Sequence, residues 1–380
     1  SALQQGIPCR IAYLNYDLAE LIGADDYQWI ADCFAFALGG ERLFAEYYFG
    51  ERLPPAELYY RQVLQRVDHE FSDRDYAAYR RVGEFVGPFL DRCLEAVPWE
   101  DCAAVGFSVT FQQTLASLCL ARELKARYPD ICVLFGGAAC EGEMGEQLLA
   151  AFPEIDIVFT GEADLTFPPV AAQILAEGRC RQPPPGVLVR GHSPFKSPEC
   201  GLQETRSAAD VGRLSSPSDA PPQPAHEGGN EASSPLLPLV ASRYPHALVV
   251  EDLDSLPFPD FDDYFSRRDA SPLRYDVEPQ LFLEMSRGCW WGQKHHCAFC
   301  GLNGDSLRYR SKSPDRVLEE LRYLWDRYHV VRASAADNIL DHRYFDSLLP
   351  RLAEAALPIR FACELKTNLT RRRVALLLAA

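Results

Sequence analysis

The chain has 380 residues, 47% hydrophobic and 24% charged, enough for two domains of ordinary size. Its net charge of -16 disfavours a nucleic-acid partner, which would need a concentrated basic stripe, and no apolar run approaches the ~20 residues that span a bilayer. Thirteen cysteines mostly sit singly in apolar segments such as SLCLA, ICVLF and FACEL, where a free thiol behaves as a small buried hydrophobe; a reducing, cytoplasmic setting is expected.

Four short apolar runs read as buried strands, at residues 9–15 (CRIAYLN), 104–109 (AVGFSV), 132–135 (CVLF) and 155–159 (IDIVF). Helical patterns follow the last three, at 111–127, 141–151 and 168–177. Strands alternating with helices of that length predict parallel βαβ units. A mostly helical insertion over about 17–100 separates the first two runs. Within it Tyr60, Val63, Leu64, Val67 and Phe71 fall on one face at helical spacing. Residues 1–180 are thus expected to form a doubly wound α/β domain.

From about 181 to 250 the character changes. Residues 181–245 crowd in twelve of the 28 prolines and much serine, too little apolar surface to offset ordering, so a disordered linker is expected. The acidic and aromatic run 251–265 (EDLDSLPFPDFDDYF) should pack on the domain it precedes, as a solvated surface between domains. Residues 251–380 then read as a second αβ series. Strand 280–286 enters a cysteine loop, and helix 314–328 follows with Ser313 as N-cap and Pro314 at its first position. Strand 330–335, helix 344–355, strand 359–363 and the opening of a third helix after Thr370 complete it. Arg371, Arg372 and Arg373 form the exposed first turn of that last helix. Three strands cannot close a (β/α) barrel, so a partial barrel is predicted. The start at Ser1, just ahead of the first strand, adds the expectation that a strand and helix are missing at one end and most of the barrel at the other.

The cysteine loop is SRGCWWGQKHHCAFCGLNG, residues 286–304. Seven residues separate Cys289 from Cys297 and two separate Cys297 from Cys300. Iron–sulfur clusters take thiolates and usually four; three leave one iron open to a small chelating molecule such as S-adenosylmethionine. The loop follows the C-terminal end of the first barrel strand, where barrel active sites assemble. A zinc site built from the three cysteines with His295 or His296 is the rival, although zinc ligands usually come as two close pairs.

With its three cysteines and the aromatic Phe299 before the last, the loop resembles the radical S-adenosylmethionine superfamily. The seven-residue gap and the flanking RGCWW and CAFCGLNG resemble a narrower group: cobalamin-binding enzymes that mature ribosomally made peptides, often as C-methyltransferases. GFSVTFQQTLASLCLA, FGGAACEGEMG, GEAD, LPFPDFDDYF, AADNILD and ELKTNL follow that group's order; the proline-rich stretch does not belong to it.

The resemblance implies a 4Fe–4S cluster on Cys289, Cys297 and Cys300, with S-adenosylmethionine near Phe299, Asp337, Asn338, Glu364 and Lys366, and Asn368 as a further polar strand-end residue. It implies a flavodoxin-like cobalamin domain, with the nucleotide tail passing Ser108, Gly136, Gly137, Gly161 and Glu162. The Asp-x-His-x-x-Gly motif that supplies a lower cobalt ligand elsewhere is absent, and that ligand is left open. The implied reaction is methylation of an unactivated carbon of a precursor peptide through a 5′-deoxyadenosyl radical, with flavodoxin or ferredoxin as reductant. Cyclisation, rearrangement or thiomethylation are the alternatives within radical chemistry; a non-catalytic zinc-loop binding module is the alternative outside it.

Overall fold

A computed structural model describes residues 2–33, 37–67, 71–191, 247–301 and 307–380. The chain is a mixed α/β protein with two parallel sheets, each over its own hydrophobic core. In the first, β1 (Ala104–Ser108), β2 (Cys132–Gly136) and β3 (Ile157–Phe159) pair in parallel and in sequence order. β4 (Val187–Val189) adds antiparallel to β3, so the sheet extends past the boundary predicted at 180. The rest of the predicted linker, 192–246, lies outside the described residues.

β2 is central, and its first four residues are buried, as the uninterrupted CVLF run requires of a strand covered on both faces. The helices Thr114–Arg127, Glu143–Ala151 and Phe167–Glu177 connect these strands. The last has prolines in its first turn and stops at Gly178, whose φ of 71° suits a left-handed cap. Val105, Val133, Phe135, Val158, Leu118 and Leu124 form the sheet side of the core. Tyr48, Leu64, Tyr79 and Leu90 of the helical insertion close it.

Three expectations for this half are corrected. Residues 9–15 do not form a strand: Cys9, Arg10 and Ile11 are exposed, no described strand offers them an edge, and a helix begins at Asn15. The sheet is not doubly wound among the described residues, because its strand order advances without reversing. The helical face at 60–71 is interrupted. Tyr60–Leu64 takes a wider π turn, and Phe71, though buried, lies beyond the helix.

The second sheet orders β5 (Leu281–Leu283), β8 (Arg332–Ala335) and β9 (Arg360–Ala362), all parallel. The predicted strand 280–286 is divided. After β5 the chain turns, and β6 (Ser286–Arg287) pairs antiparallel with β7 (Arg310–Ser311), framing the cysteine loop. The helix Pro314–Tyr328 begins where Ser313 accepts from the Arg316 N–H. The predicted helix 344–355 is broken into Tyr344–Ser347 and Leu349–Ala355; Pro350 supplies no N–H to continue the ladder. Thr370 caps the final helix, Arg371–Ala379.

The run 251–263 packs on the second unit. Asp254 accepts from the Ser313 N–H at 2.7 Å, and Phe258 lies against Tyr323 with ring centroids 5.0 Å apart. The helix Asp262–Ala270 returns to the first unit, where Arg267 pairs with Asp17 and Glu20 at 3.2 and 2.8 Å. Among the described residues no helix is long and apolar enough to cross a membrane.

Candidate functional site

Parallel α/β sheets present ligands at the C-terminal ends of their strands. In the first sheet Ser108 and Gly136 are register partners at those ends. Ser108 is exposed and Gly136 half-buried, whereas Gly137 folds back on Val109. Gly161 opens the turn after β3 and faces Ala247, where the chain is next described. Glu162 turns instead toward the second unit. Its carboxylate accepts from Arg287 at 2.7 Å, from Arg310 at 2.5 and 3.2 Å, and from the Val250 N–H at 2.9 Å. Burial alone would raise this carboxyl, but the hydrogen bonds from Arg310 and Val250 and the two guanidinium charges outweigh it and hold it low.

In the second sheet β5 ends at Leu283, and Glu284 chelates Arg287 at 2.7 and 3.0 Å. The cysteine loop starts two residues later. The Cys289 N–H donates to the Leu307 carbonyl at 3.2 Å, and its Sγ accepts from the Gly292 N–H at 3.2 Å. Cys297 and Cys300 share a tight turn, with the Cys300 N–H on the Cys297 carbonyl at 3.0 Å. All three thiols are half-buried.

Among the described residues no three His, Cys, Asp or Glu side chains converge where a metal ion would sit. The thiols share one loop but do not meet. Four of the other described cysteines are of a different character. Cys93, Cys119, Cys132 and Cys140 are core thiols, raised to about 12, 12, 12 and 11 chiefly by burial. Three half-buried thiols on one loop fit a cluster with three protein ligands in donor chemistry, and holding it requires the loop to draw them together. His295 lies against the Trp291 ring, 4.8 Å between centroids.

The residues expected around S-adenosylmethionine are divided. Phe299 is 93% exposed beside the cysteines. Asn338 and Glu364 are exposed at their strand ends; the Glu364 carbonyl accepts from Leu340 at 2.9 Å. Lys366 reaches the cysteine loop, its Nζ 3.4 Å from the Trp291 ring centroid. Asn368, with Trp290, His342 and Lys366, lines a cavity of about 20 Å³, room for a water. Asp337 does not face this space. It is buried, accepting from the Met285 N–H at 2.8 Å and the Ser286 hydroxyl at 2.7 Å, and burial raises its carboxyl to about 6.

A cleft of about 520 Å³ opens between the two units. Asp164, from the turn after β3, lines it together with Phe282, Glu284 and Arg287 from the end of β5 and Ala336 from the end of β8. Arg287 crosses between the units, donating to Asp164 at 2.9 Å as well as to Glu162. The pattern that marks Arg287 in sequence is an arginine between a buried strand and a cysteine; its partners Glu162 and Asp164, more than a hundred residues upstream, carry no such mark. Lys312 and Glu320, a buried pair at 2.6 Å beside the cleft, were likewise not legible.

No protein-family model and no curated protein matches the sequence. Among solved structures, one that this chain is similar to is a cobalamin-dependent S-adenosylmethionine radical enzyme, OxsB, solved with aqua-cobalamin bound. It has a TM-score of 0.49 and 14% identity, over 77% of this chain and 36% of that one. This chain spans about a third of that enzyme's length. At that score and identity the likeness decides nothing about cofactor or reaction, and the site is judged on its own residues.

Proposed function

We propose that this chain carries the cluster-binding and cobalamin-binding parts of a radical S-adenosylmethionine enzyme that methylates an unactivated carbon of a ribosomally made precursor peptide, with a flavodoxin or ferredoxin as electron source. The observation that carries the reading is the cysteine loop's position. It leaves the C-terminal end of β5 and is joined by Arg287 to the turn after β3, and that turn borders one cleft with the ends of β5 and β8. When bound, a cluster would supply the electron that cleaves S-adenosylmethionine and cobalamin the methyl group to be transferred.

The chain's own part is holding and shielding. Cys289, Cys297 and Cys300 are the thiolates offered to the cluster. Phe299 and Lys366 stand beside that loop, an apolar face for adenine and a cation for a carboxylate. Ser108 and Gly136 offer a hydroxyl and a narrow backbone at the ends of β1 and β2.

The test is anaerobic reconstitution of the full-length protein. The reading expects about four irons per chain, loss of S-adenosylmethionine cleavage in Cys297→Ala, and transfer of label from methyl-labelled S-adenosylmethionine to the peptide. One zinc per chain without iron would sink the radical reading; cleavage without peptide label would sink methylation alone.

A further inference from the structure

The strands that frame the cysteine loop have a peculiarity. β6 and β7 place Arg287 directly opposite Arg310. Like charges in directly opposed positions destabilise an antiparallel pair. The ladder is also the loop's anchor. Gly288, with φ of 78°, lets the chain pass so close that a Cβ there would lie 2.2 Å from the Arg308 carbonyl oxygen. The next N–H, that of Cys289, then bonds to Leu307.

The two arginines are neutralised unequally. Arg287 meets three carboxylates: Glu284 on its own strand connection, and Glu162 and Asp164 from the first unit. Arg310 meets one, Glu162, which grips both its terminal nitrogens; its remaining polar contact is the Val250 carbonyl at 2.6 Å. Glu162 is therefore the carboxylate that the two opposed arginines share. Arg310 is almost fully buried, so water cannot replace that partner.

We infer that Glu162 is a positioning residue: by bridging Arg287 and Arg310 it holds the β6–β7 ladder closed and so fixes Cys289, making the first unit a structural part of the cysteine site. The consequence for the reaction rests on the proposed function; the ladder itself does not.

Hydrogen exchange on the full-length protein, purified without metal or cofactor, tests the ladder directly. Glu162→Gln removes the shared charge, and exchange at residues 286–289 should rise about tenfold while the helix Pro314–Tyr328 keeps its protection. Adding Arg310→Gln should restore most of that protection, because Arg287 still has Glu284 and Asp164. Glu251→Gln, which breaks the exposed Glu251–Arg308 pair beside the same ladder, should change nothing. Arg310→Gln alone should also exchange like wild type, which keeps the inference testable if Glu162→Gln fails to fold. Wild-type exchange in Glu162→Gln, a tenfold rise in Arg310→Gln alone, or a double variant worse than Glu162→Gln overturns the inference. After reconstitution, a changed electron paramagnetic resonance signal in Glu162→Gln should revert in the double variant. A protein that binds no iron defeats the cluster reading and leaves the exchange result standing.

Discussion

Gly137 lies against the backbone of Val109: a Cβ at 137 would sit 2.5 Å from the Val109 oxygen, in a residue whose φ is already 96°. Its neighbour Gly136 has ordinary φ, and a Cβ there would meet only the Phe159 Cβ at 3.6 Å, a normal contact. The two glycines of FGGAA therefore answer to different demands. Gly137→Ala should cost about 3 kcal/mol of stability, from strain and backbone overlap together. Gly136→Ala should cost under about 1 kcal/mol and so isolates ligand approach from folding. Denaturant unfolding measures both. If cobalamin passes Gly136, that variant alone loses affinity for added hydroxocobalamin, read from its visible spectrum, at unchanged stability.

The same pair shows how far sequence reasoning reaches. β1, β2 and the helix Pro314–Tyr328 were legible because their signals are local: a buried apolar run, a serine cap, a proline in the first turn. Residues 9–15 carry an apolar run like that of a strand, yet 9–12 remain exposed, because pairing depends on an edge that another part of the chain has to supply. Gly136 and Gly137 were found together, but which one the backbone needs depends on Val109, twenty-eight residues away. The ion pairs that join the two units, Glu162 with Arg287 and Glu20 with Arg267, have no periodicity at all. They were invisible for that reason.

Asp337 predicts a pH dependence of unusual sign. Burial is the largest influence on its carboxyl and lifts it from 3.8 to about 6, against hydrogen bonds from Ser286 and Met285. The folded state then binds the proton more tightly than the unfolded one. Its ionisation therefore takes stability away as pH rises from about 4 to about 6, with the full penalty above that. Asp337→Asn can still accept from the Met285 N–H and can donate to the Ser286 oxygen. Relative to wild type it should gain stability progressively across that window, and no such gain in pH-dependent urea midpoints would refute the assignment. A residue committed to β6 in this way should also leave S-adenosylmethionine affinity nearly unchanged when replaced by asparagine.

The helix Asp262–Ala270 is held to the first unit by Arg267, which shares Asp17 and Glu20 with Arg92; the Ser271 hydroxyl adds a bond to Glu20 at 2.7 Å. Burial pushes the Glu20 carboxyl up, but its bonds from Arg267 and Ser271 and the arginine charges more than reverse that and hold it below 4.5. A lowered carboxyl contributes stability above its unfolded value that is lost as pH falls through the folded one. Arg267→Met should cost about 2 kcal/mol near neutral pH, less than a wholly buried pair because Arg267 remains partly in contact with water. The deficit should shrink as pH falls below 4.5 and through the lower value of the folded state, where Glu20 becomes protonated in both states. Limited proteolysis between 251 and 262 should accelerate in the variant, since the helix that follows that run is then held less firmly to the first unit.

Lys312 and Glu320 form the most secluded ion pair among the described residues, with side chains 3% and 1% exposed and 2.6 Å between Nζ and Oε2. Burial raises the Glu320 carboxyl despite the lysine beside it, and its Oε1 has no hydrogen-bond partner. The desolvation cost of such a pair commonly exceeds its attraction. Lys312→Met alone should therefore be harmful, by about 3–5 kcal/mol, because it strands a buried carboxylate. Glu320→Gln in that background should recover much of the loss by removing the charge. Lys312→Met with Glu320→Leu should come within about 1 kcal/mol of wild type or exceed it, since both groups are then apolar and of similar volume. With Glu320→Leu alone as the second single variant, chemical denaturation of wild type, the two single variants and their double gives the coupling directly. Additive losses in the double variant would mean that each side chain serves a separate partner; a strongly negative coupling with a double variant as stable as wild type identifies a pair whose attraction only offsets its own burial, at the wall of the cleft.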